Sequence, residues 1–429
     1  MRKRICDLSE NEIVNISGII EKIRDTKYMV FVILKDITGH IQVSIEKKDK
    51  EQLALDILNV TPGSFVTFTG KMVLSEYVKD GGCEFIPESF EILSLADTVP
   101  TLDTALVDTR MDYRWIDLRD EKNTLIFKIQ SYMIKVMRDF LYENNFMEIH
   151  TPKLIGSASE SGSDVFEVKY FDRLAYLAQS PQFYKQMAMA SGFDRIFEVA
   201  PAFRAENSNT YRHTTEFTSF DLEFSYIDSF YDVMKMEEEL LKYMLSKVKE
   251  KYGDIIKEVF GKEVIVPKSN FPVIKLEDLY QELHNRYNYE IPKEDIGDLN
   301  SETESLASKY AMEVYNSEFI FVTDFSSKKR AFYHMRDENN IPLGYDLIWR
   351  GTEITTGAQR EHRYDVLKKQ ALEFGLGEDV KYYLEFFKYG CPPHGGFAIG
   401  IDRLTMLLLG LTHIREAMFL FRSPNRLNP

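Results

Sequence analysis

The stretch Phe203–Phe217, FRAENSNTYRHTTEF, concentrates ionisable side chains between two phenylalanines. Arg204, Glu206, Arg212 and His213 all fall within it. The flanking sequences, RIFEVAPA and TSFDLEFSYI, alternate apolar and polar residues, as strands with one buried face do. The pattern therefore predicts a half-buried β-hairpin whose end carries an unusual amount of charge.

This hairpin has the side chains that would bind a nucleoside triphosphate. Arg204 can donate two parallel hydrogen bonds to a phosphate or a carboxylate. Glu206 is expected on the same face and can accept from an exocyclic amine. Arg212 and His213, near the turn, can reach further phosphate oxygens, and Phe217 offers an aromatic face to a purine. The alternative interpretation is a surface ion-pair cluster, which would add little stability.

Two carboxylates in GYDLIWRGTEITTGAQREHR indicate a second part of the same site. Asp346 and Glu353 are seven residues apart, so a regular strand would point them to opposite faces. A bulge or a turn at Gly351 would bring them together. Converging carboxylates on triphosphate oxygens would hold Mg²⁺. The alternative is an edge strand with exposed acids.

The segment YGCPPHGGFAIGIDRLTMLLLGL is the third candidate element. Its glycine-rich strand leads into an apolar helix with Arg403 in the first turn. Glycines let a flat ligand approach the backbone closely. Arg403 could then stack on a base or pair with a terminal phosphate. The sequence contains neither a P-loop motif nor a Rossmann glycine fingerprint after a parallel strand.

Composition limits the class of protein. The 429 residues, 44% of them apolar and 28% charged, predict a folded chain of two or three domains. The longest strongly apolar run, LTMLLLGL, is far shorter than the roughly 20 residues that span a bilayer. The three cysteines are far apart, which is typical of a reducing cytoplasm. A net charge of −15 argues against nucleic-acid binding by bulk electrostatics, but not against local stacking on bases.

The chain divides by pattern into three parts. Residues 1–95 contain five strand-like runs and one helix, which favours a small β-barrel of the OB type over an SH3-like barrel or an open sheet. Residues 96–122 are polar and predict a hinge or linker. Residues 123–429 begin with a helix over 123–146 and a strand in MEIHTPKLI, 147–155, that ends near Pro152. Hairpin-like strand pairs and helices follow, so we expect an α+β fold with an antiparallel sheet flanked by helices.

These elements together resemble the signature motifs of class II aminoacyl-tRNA synthetases. The helix and strand around Pro152 are similar to motif 1, which forms the dimer interface in that family. Phe203–Phe217 is similar to motif 2, and GIDRL is similar to motif 3. A leading β-barrel marks the subgroup for Asp, Asn or Lys. Within it, QSPQFYKQ, GAQREHR and PPHGGFAIGIDR resemble the aspartyl-tRNA synthetases of archaea and eukaryotes most closely.

The resemblance implies a site for ATP and magnesium. Arg204, Glu206 and Arg403 would be the catalytic residues, with Arg204 bridging the α-phosphate and the amino-acid carboxylate. ATP would be bound by Arg204, Glu206, Arg212, His213, Thr214, Phe217, Glu353, Gly400, Ile401, Asp402 and Arg403. Mg²⁺ would be held by Asp346, Glu353 and Thr356.

It also implies how the amino acid and the tRNA are selected. Cations would meet the substrate's side-chain carboxylate, with Lys185 and Arg360 as the candidates. The aspartate-binding set would be Glu160, Gln182, Lys185, Arg204, Asp221, Thr356 and Arg360. The anticodon-binding set on the barrel would be Phe31, Gln42 and Glu84. Phe31 would stack on a base, although the apolar strand around it also allows a purely structural role in the core.

The predicted function is activation of L-aspartate with ATP and transfer of the aspartyl group to the 3′ end of tRNA-Asp. Charging of tRNA-Asn as well is left open. The resemblance further implies a cytoplasmic homodimer. The alternatives are an asparagine–tRNA ligase, a paralogue that makes free asparagine, or a non-enzymatic nucleic-acid-binding module. Ser161, Phe421 and Ser423 depart from the family pattern, and their effect is not predicted.

Overall fold

A computed structural model describes residues 2–78, 81–102, 104–156, 165–207 and 210–429. The chain divides into two units, Met1–Arg110 and Met111–Pro429. Among the described helices, none is both long and apolar enough to cross a membrane.

The first unit is a closed β-barrel, as the sequence predicts. Its elements are β1 (Arg2–Lys3), β2 (Ile13–Asp25), β3 (Met29–Asp36), β4 (Gly39–Glu46), α1 (Glu51–Leu58), β5 (Phe65–Leu74) and β6 (Cys83–Ser94). The strands follow the order β1-β2-β3-β4-β6-β5, and pairing of β2 with β5 closes the barrel. An open sheet is therefore excluded, and the order is that of an OB-type barrel.

Two glycines allow the barrel strands to bend closely past their neighbours. A Cβ at Gly18 would lie 2.1 Å from the carbonyl oxygen of Lys35. A Cβ at Gly70 would lie 2.2 Å from that of Ile86. Because real Cβ atoms do not approach backbone oxygens so closely, any side chain there would open the barrel.

The second unit is built around one large, mainly antiparallel sheet. Its strands are β7 (Met147–Glu148), β8 (Leu154–Ile155), β9 (Glu167–Tyr170), β10 (Arg173–Leu177), β11 (Arg195–Phe203), β12 (Glu216–Ser225), β13 (Val273–Lys275), β14 (Phe319–Thr323), β15 (Gly344–Trp349), β16 (Thr352–Arg360) and β17 (His394–Gly400). In the described part of the chain, the large sheet has the order β13-β14-β15-β16-β17-β12-β11-β7. The strands β8, β10 and β9 form a separate small sheet.

Helices accompany this sheet in the α+β arrangement that the sequence predicts. They are α2 (Val107–Asp112), α3 (Arg114–Asp117), α4 (Glu121–Glu143), α5 (Gln182–Ala190), α6 (Phe230–Phe260), α7 (Leu276–Tyr287), α8 (Ser301–Tyr315), α9 (Tyr364–Glu373), α10 (Lys381–Lys388) and α11 (Ile401–Leu409). The long amphipathic helices α4 and α6 share a hydrophobic core with the sheet. That core fixes the strands on which the candidate site is built.

The strand predicted to begin at Met147 and to end near Pro152 is shorter than expected, since β7 ends at Glu148. Only β7 pairs with the large sheet, and β8 belongs to the small one. Between β7 and β8 the backbone also forms a hydrogen bond to a side chain: the Thr151 N–H donates to the Glu198 carboxylate at 2.7 Å. Pro152 has no N–H to contribute to a ladder, so it cannot restore the pairing that ends at Glu148.

The segment predicted as a hinge or linker, 96–122, contains α2 and α3. Arg114 of α3 is 1% exposed and forms a buried ion pair with Asp117. Its guanidinium also donates to the carbonyl oxygen of Met418 at 2.8 Å. The end of this segment is thus packed into the second unit. The roles assigned to 1–95, 96–122 and 123–429 remain predictions.

The core beneath the sheet contains a carboxyl group whose titration we expect to change the free energy of unfolding. Glu237 on α6 is fully buried and accepts a hydrogen bond of 2.7 Å from the Tyr345 hydroxyl. Burial, aided by the charge of Asp346, raises the pKa of Glu237 to about 8. Because the folded pKa exceeds the unfolded value, Glu237 destabilises the fold progressively as the pH rises from about 4.5 to about 8.

We expect Glu237→Gln to flatten this pH dependence. Between pH 5 and 8 the unfolding free energy of the wild type should fall by about 3 kcal/mol relative to the variant. Urea unfolding followed by tryptophan fluorescence measures it, since Trp115 and Trp349 both lie in the second unit. Glu239→Gln, an exposed carboxylate on the same helix, is the control and should leave the curve unchanged. Parallel curves for wild type and Glu237→Gln would contradict the prediction.

Candidate active site

One cavity in the second unit collects most of the residues singled out from the sequence. The sheet order β16-β17-β12-β11 brings the three candidate elements side by side. Within it, Thr356, Ala398 and Asp221 lie opposite one another across three adjacent strands. The hairpin, the carboxylate strand and the glycine-rich strand therefore face one space, although they are far apart in sequence.

The residues predicted for ATP, aspartate and metal binding, together with Ser161 beside Glu160, divide into three groups. Those that line the cavity are Gln182, Lys185, Arg204, Glu206, Arg212, His213, Thr214, Phe217, Asp221, Glu353, Thr356, Arg360, Gly400, Asp402 and Arg403. Among the described residues, Asp346 and Ile401 do not line it; both are buried behind its wall. Glu160 and Ser161 lie outside the described residues.

The hairpin forms as predicted, with β11 and β12 paired in register from Arg195–Phe224 to Phe203–Glu216. Arg204 follows the last paired residue and is anchored through its N–H to the Thr215 carbonyl oxygen at 2.9 Å. Its guanidinium lies 5.4 Å from the centre of the Phe217 ring. About half of the Arg204 side chain, 49%, is exposed, so it can reach a ligand.

His213 lies in the hairpin loop and is half-buried, whereas Arg204 is exposed. Thr210 Oγ1 is 2.6 Å from its Nδ1. Burial, together with the positive charges of Arg403 and Arg212, lowers the pKa of His213. The ring is therefore neutral at pH 7, and it can offer a phosphate a hydrogen bond but no charge.

The strand-to-helix junction of β17 and α11 places Arg403 against the carboxylate strand. Arg403 Nη1 donates to the Glu353 carbonyl oxygen at 2.7 Å. The neighbouring Asp402 contacts the hairpin strand instead. Its carboxylate accepts a hydrogen bond of 2.9 Å from the Thr218 N–H of β12. Burial raises the pKa of Asp402 to about 6. Asp402 thus ties the helix to the hairpin strand while Arg403 stays in the cavity wall.

Glycines in the β17 strand make room for a side chain rather than for a ligand. A Cβ at Gly396 would lie 2.4 Å from the Glu223 carboxylate. Of the strand's described glycines, Gly400 alone lines the cavity. The expectation that the whole glycine-rich strand approaches a flat ligand is therefore met only at its carboxyl end.

The inner end of the cavity contains two cations held by two carboxylates. Lys185 Nζ lies 3.0 Å from Asp221 Oδ1 and 3.5 Å from Glu223 Oε2. Arg360 Nε donates to Glu223 Oε1 at 3.0 Å. All four residues are at most 3% exposed. Burial opposes ionisation of Glu223, but Arg360 and Lys185 outweigh it and lower its pKa.

Gln182 and His334 complete the surroundings of Arg360. Arg360 Nη2 donates to the Gln182 side-chain oxygen at 3.3 Å, and Nη1 lies 3.3 Å from His334 Nε2. Burial and the charge of Arg360 lower the pKa of His334 well below its usual range, so the ring is neutral. The guanidinium is therefore fixed in orientation before any ligand arrives.

Sequence reasoning missed Glu223. The signal was available: β12 has a period of two, so Glu223 faces the same side as Asp221. Without Glu223 the predicted pocket has an excess of positive charge. With it, the two cations and two carboxylates balance, which explains how both cations tolerate burial.

The carboxylates Asp346 and Glu353 converge as predicted, through a turn and a bulge. The chain reverses at Arg350 and Gly351, both with positive φ. The β15–β16 register shifts after Leu347, which leaves Ile354 as an extra residue on β16. The bulge turns Glu353 to the same face as Thr356, whose hydroxyl lies within hydrogen-bond distance of both carboxylates, 3.1 Å from Glu353 and 2.8 Å from Asp346.

Asp346 is also engaged by a cation that sequence reasoning missed. Arg330 Nη1 donates to Asp346 Oδ1 at 2.9 Å, and Nη2 contacts the other carboxylate oxygen. Burial and the charge of Glu353 raise the pKa of Asp346 to about 7 despite Arg330. The cavity therefore presents the Glu353 carboxylate and the Thr356 hydroxyl directly, with Asp346 behind them. Few carboxylates plus ligand phosphates suit Mg²⁺, so these residues fit that ion.

The barrel of the first unit carries its three predicted residues on one face. Phe31 is only partly buried, because alternate β3 residues fill the core instead. It pairs in register with Ser44, and Gln42 pairs with Glu84. The Ser44 hydroxyl joins the last two, accepting from Gln42 at 3.1 Å and donating to Glu84. A core role for Phe31 is thus excluded, and the ring stands beside two hydrogen-bonding side chains.

A large antiparallel sheet whose cavity gathers arginines and carboxylates beside a hairpin defines a class II aminoacyl-tRNA synthetase. Residues 106–423 match the family described as tRNA synthetases class II (D, K and N), and the chain belongs to that family. Residues 14–93 match the OB-fold nucleic acid binding domain.

Relatives match along almost the whole chain. An aspartate–tRNA(Asp/Asn) ligase of Methanopyrus kandleri is 40% identical over 427 residues, covering 98% of this chain and 97% of the relative. An aspartate–tRNA(Asp) ligase of Pyrococcus furiosus is 39% identical, with coverage of 97% and 96%. The solved asparaginyl-tRNA synthetase of Pyrococcus horikoshii with asparaginyl-adenylate is 30% identical, with a TM-score of 0.89 and coverage of 98% and 97%.

Proposed function

We propose that the chain is an aspartate–tRNA ligase, which activates L-aspartate with ATP and transfers the aspartyl group to the 3′ end of tRNA-Asp. The observation that carries the proposal is the inner end of the cavity, where Lys185 and Arg360 both line the space and can bind a carboxylate. Asp221 and Glu223 already balance these two cations, but a substrate carboxylate would gain charge-assisted hydrogen bonds from them that a neutral amide cannot match. The names of the relatives support the same amino acid.

The proposed chemistry needs positioning and charge stabilisation rather than acid–base groups. The aspartate α-carboxylate attacks the α-phosphorus of ATP, and pyrophosphate leaves. Arg204 reaches both the attacking carboxylate and the α-phosphate. Glu206 accepts from the adenine amine, and Phe217 and Arg403 lie on the two faces of the base. Arg212 and His213 bind the outer phosphates.

Selection of the amino acid uses the inner part of the cavity. Lys185 and Arg360 bind the side-chain carboxylate, and the balanced contacts of Asp221 and Glu223 keep both cations oriented. Gln182 and Asp221 supply acceptors for the α-ammonium group. Since these side chains are already held in place, little ordering is lost when the substrate binds.

Magnesium is the proposed metal ion. Glu353 and Thr356 would hold it from the cavity wall, with Asp346 behind them. When bound, it would neutralise charge on the phosphates and so favour departure of pyrophosphate. The protein's own contribution is the bulge at Ile354, which turns the Glu353 carboxylate toward the ligand space.

The barrel is proposed to bind the anticodon of tRNA-Asp through Phe31, Gln42 and Glu84. We expect Phe31→Ala to weaken tRNA binding by about 1–3 kcal/mol, because one base loses its stacking partner. Aminoacylation at varied tRNA concentration measures the change, and ATP–pyrophosphate exchange should be unaffected. Phe65→Ala, which removes an exposed ring from β5, is the control. Equal tRNA KM values for wild type and Phe31→Ala would contradict the role.

A homodimer in the cytoplasm is proposed for the assembly. The support is β7, an edge strand of the large sheet, whose Met147 is 54% exposed. Tyr142 at the end of α4 is 53% exposed beside it. An unpaired edge strand with apolar neighbours is a surface that a second copy can cover.

Aspartate-dependent ATP–pyrophosphate exchange tests the proposed function. Exchange with aspartate and little with asparagine is the expected result. Asparagine outcompeting aspartate would instead identify an asparagine–tRNA ligase, the function of a structural neighbour. No exchange with either amino acid by folded protein would refute both. Charging of purified tRNA-Asp and tRNA-Asn with radiolabelled aspartate then decides the tRNA, since the relatives' names differ on this point.

A further inference from the structure

Helix α8 holds the arginine of the hairpin from outside the three signature elements. Arg212 forms a two-pronged ion pair with Glu304 in the first turn of α8; its Nη2 donates to Glu304 Oε1 at 3.0 Å, and its Nη1 contacts Oε2. The same Nη2 donates to the Ser301 hydroxyl at 2.8 Å. Glu304 is 3% exposed, so this is a buried and directional contact.

Glu304 also holds the strand that carries the metal-binding carboxylate. Its Oε2 accepts from the Glu353 N–H at 2.9 Å. The carbonyl oxygen of the same Glu353 accepts from Arg403. One carboxylate thus joins the phosphate-binding arginine of the hairpin to the backbone of β16, on which Glu353 and Thr356 stand.

The contacts leave Arg212 able to bind a ligand while it is held. A guanidinium carries five N–H donors, and the bonds to Glu304 and Ser301 use three of them. Arg212 also lines the cavity. The other two donors make no side-chain hydrogen bond to the residues that the structure describes, so they are left for a phosphate. The negative charge of Glu304 is in turn favoured by its place at the amino end of a 15-residue helix.

We propose that Glu304 is a positioning residue for the outer phosphates of ATP, acting through Arg212 and through the backbone of Glu353. The inference rests on the proposed function, because it assigns Arg212 to the triphosphate. It predicts that the ion pair prepares the site and that ATP binds without breaking it. If Glu304 merely competed with ATP for Arg212, removing its charge would tighten ATP binding instead.

The test compares Glu304→Gln, which keeps the size and removes the charge, with Glu302→Gln as a matched control. Glu302 lies in the same helical turn but is exposed and outside the cavity. Affinity for ATP with Mg²⁺ is measured by titration calorimetry without amino acid, and the KM values for ATP and aspartate by pyrophosphate exchange. Thermal unfolding confirms that each variant is folded.

We expect Glu304→Gln to weaken ATP binding about 10- to 100-fold, the effect of losing one charged hydrogen-bonding partner. The aspartate KM at saturating ATP should change less than about twofold. Combining Glu304→Gln with Arg212→Ala should weaken ATP binding by less than the sum of the two single effects, since part of the Glu304 effect passes through Arg212.

Unchanged or tighter ATP binding by folded Glu304→Gln would overturn the proposal, as would fully additive effects in the double variant. Because calorimetry needs no amino acid, this outcome is separate from failure of the proposed function. A wild type that binds ATP but shows no aspartate-dependent exchange refutes the aspartate assignment alone.

Discussion

Replacing Arg204 with alanine is expected to lower aspartate-dependent ATP–pyrophosphate exchange by a factor of about 10² to 10³ or more. That is the usual cost of removing one donor aimed at charge that develops in the transition state. Arg204 is proposed to contact both the attacking carboxylate and the α-phosphate, so its loss should reduce kcat and not only raise KM. Stability should change by no more than about 0.5 kcal/mol, because the side chain is 49% exposed.

Arg286→Ala provides a matched control for this variant. Its side chain is similarly exposed, 43%, and lies on α7 outside the cavity. It removes the same charge from the same unit and should leave exchange unchanged. Near-normal turnover by Arg204→Ala would mean that the reacting groups lie elsewhere.

The second large effect is expected at Arg360. Arg360→Leu should abolish detectable aspartate activation and destabilise the second unit by about 3–5 kcal/mol, since Glu223 would lose one of its two cations in a buried position. Urea unfolding monitored by tryptophan fluorescence measures the stability, and pyrophosphate exchange measures the activity.

A double variant separates stability from selectivity. Arg360→Leu combined with Glu223→Gln removes the unmatched charge, while Lys185 keeps Asp221 as its partner. We expect this protein to regain most of the lost stability and to remain inactive with aspartate. If activity returned together with stability, Arg360 would be a structural residue and the proposed selection of aspartate would be wrong.

Local patterns were sufficient for most elements of the fold. The five long strands and the one helix of the barrel, the amphipathic helix α4 and the charged hairpin all appear where periodicity predicts them. Each of these signals comes from residues that are close in sequence, within one or two helical turns or within adjacent strands. The strand predicted to end near Pro152 stops earlier, at Glu148, and the Thr151 N–H donates to the Glu198 carboxylate instead of to a strand.

The candidate site was predictable only in part. Residues within the three quoted segments line the cavity, and their chemical types already indicated phosphate, purine and carboxylate ligands. The partners that fix these residues were missed. Glu304 lies 92 residues from Arg212, and Glu223 lies 137 residues from Arg360. The spacing on β12 indicates that Glu223 faces the same side as Asp221, but which cation each carboxylate pairs with leaves no local pattern in one sequence.

By itself, then, the sequence determined the kinds and order of the elements and the chemical groups available for a ligand, because both follow from residue type and short-range spacing. The tertiary structure alone decided which charges are neighbours. It turned Asp346 toward Arg330, brought Glu353 into the cavity through the bulge at Ile354, and balanced the buried cations with Asp221 and Glu223. Electrostatic energy depends on distance and burial in space, and these are set only when the strands are assembled.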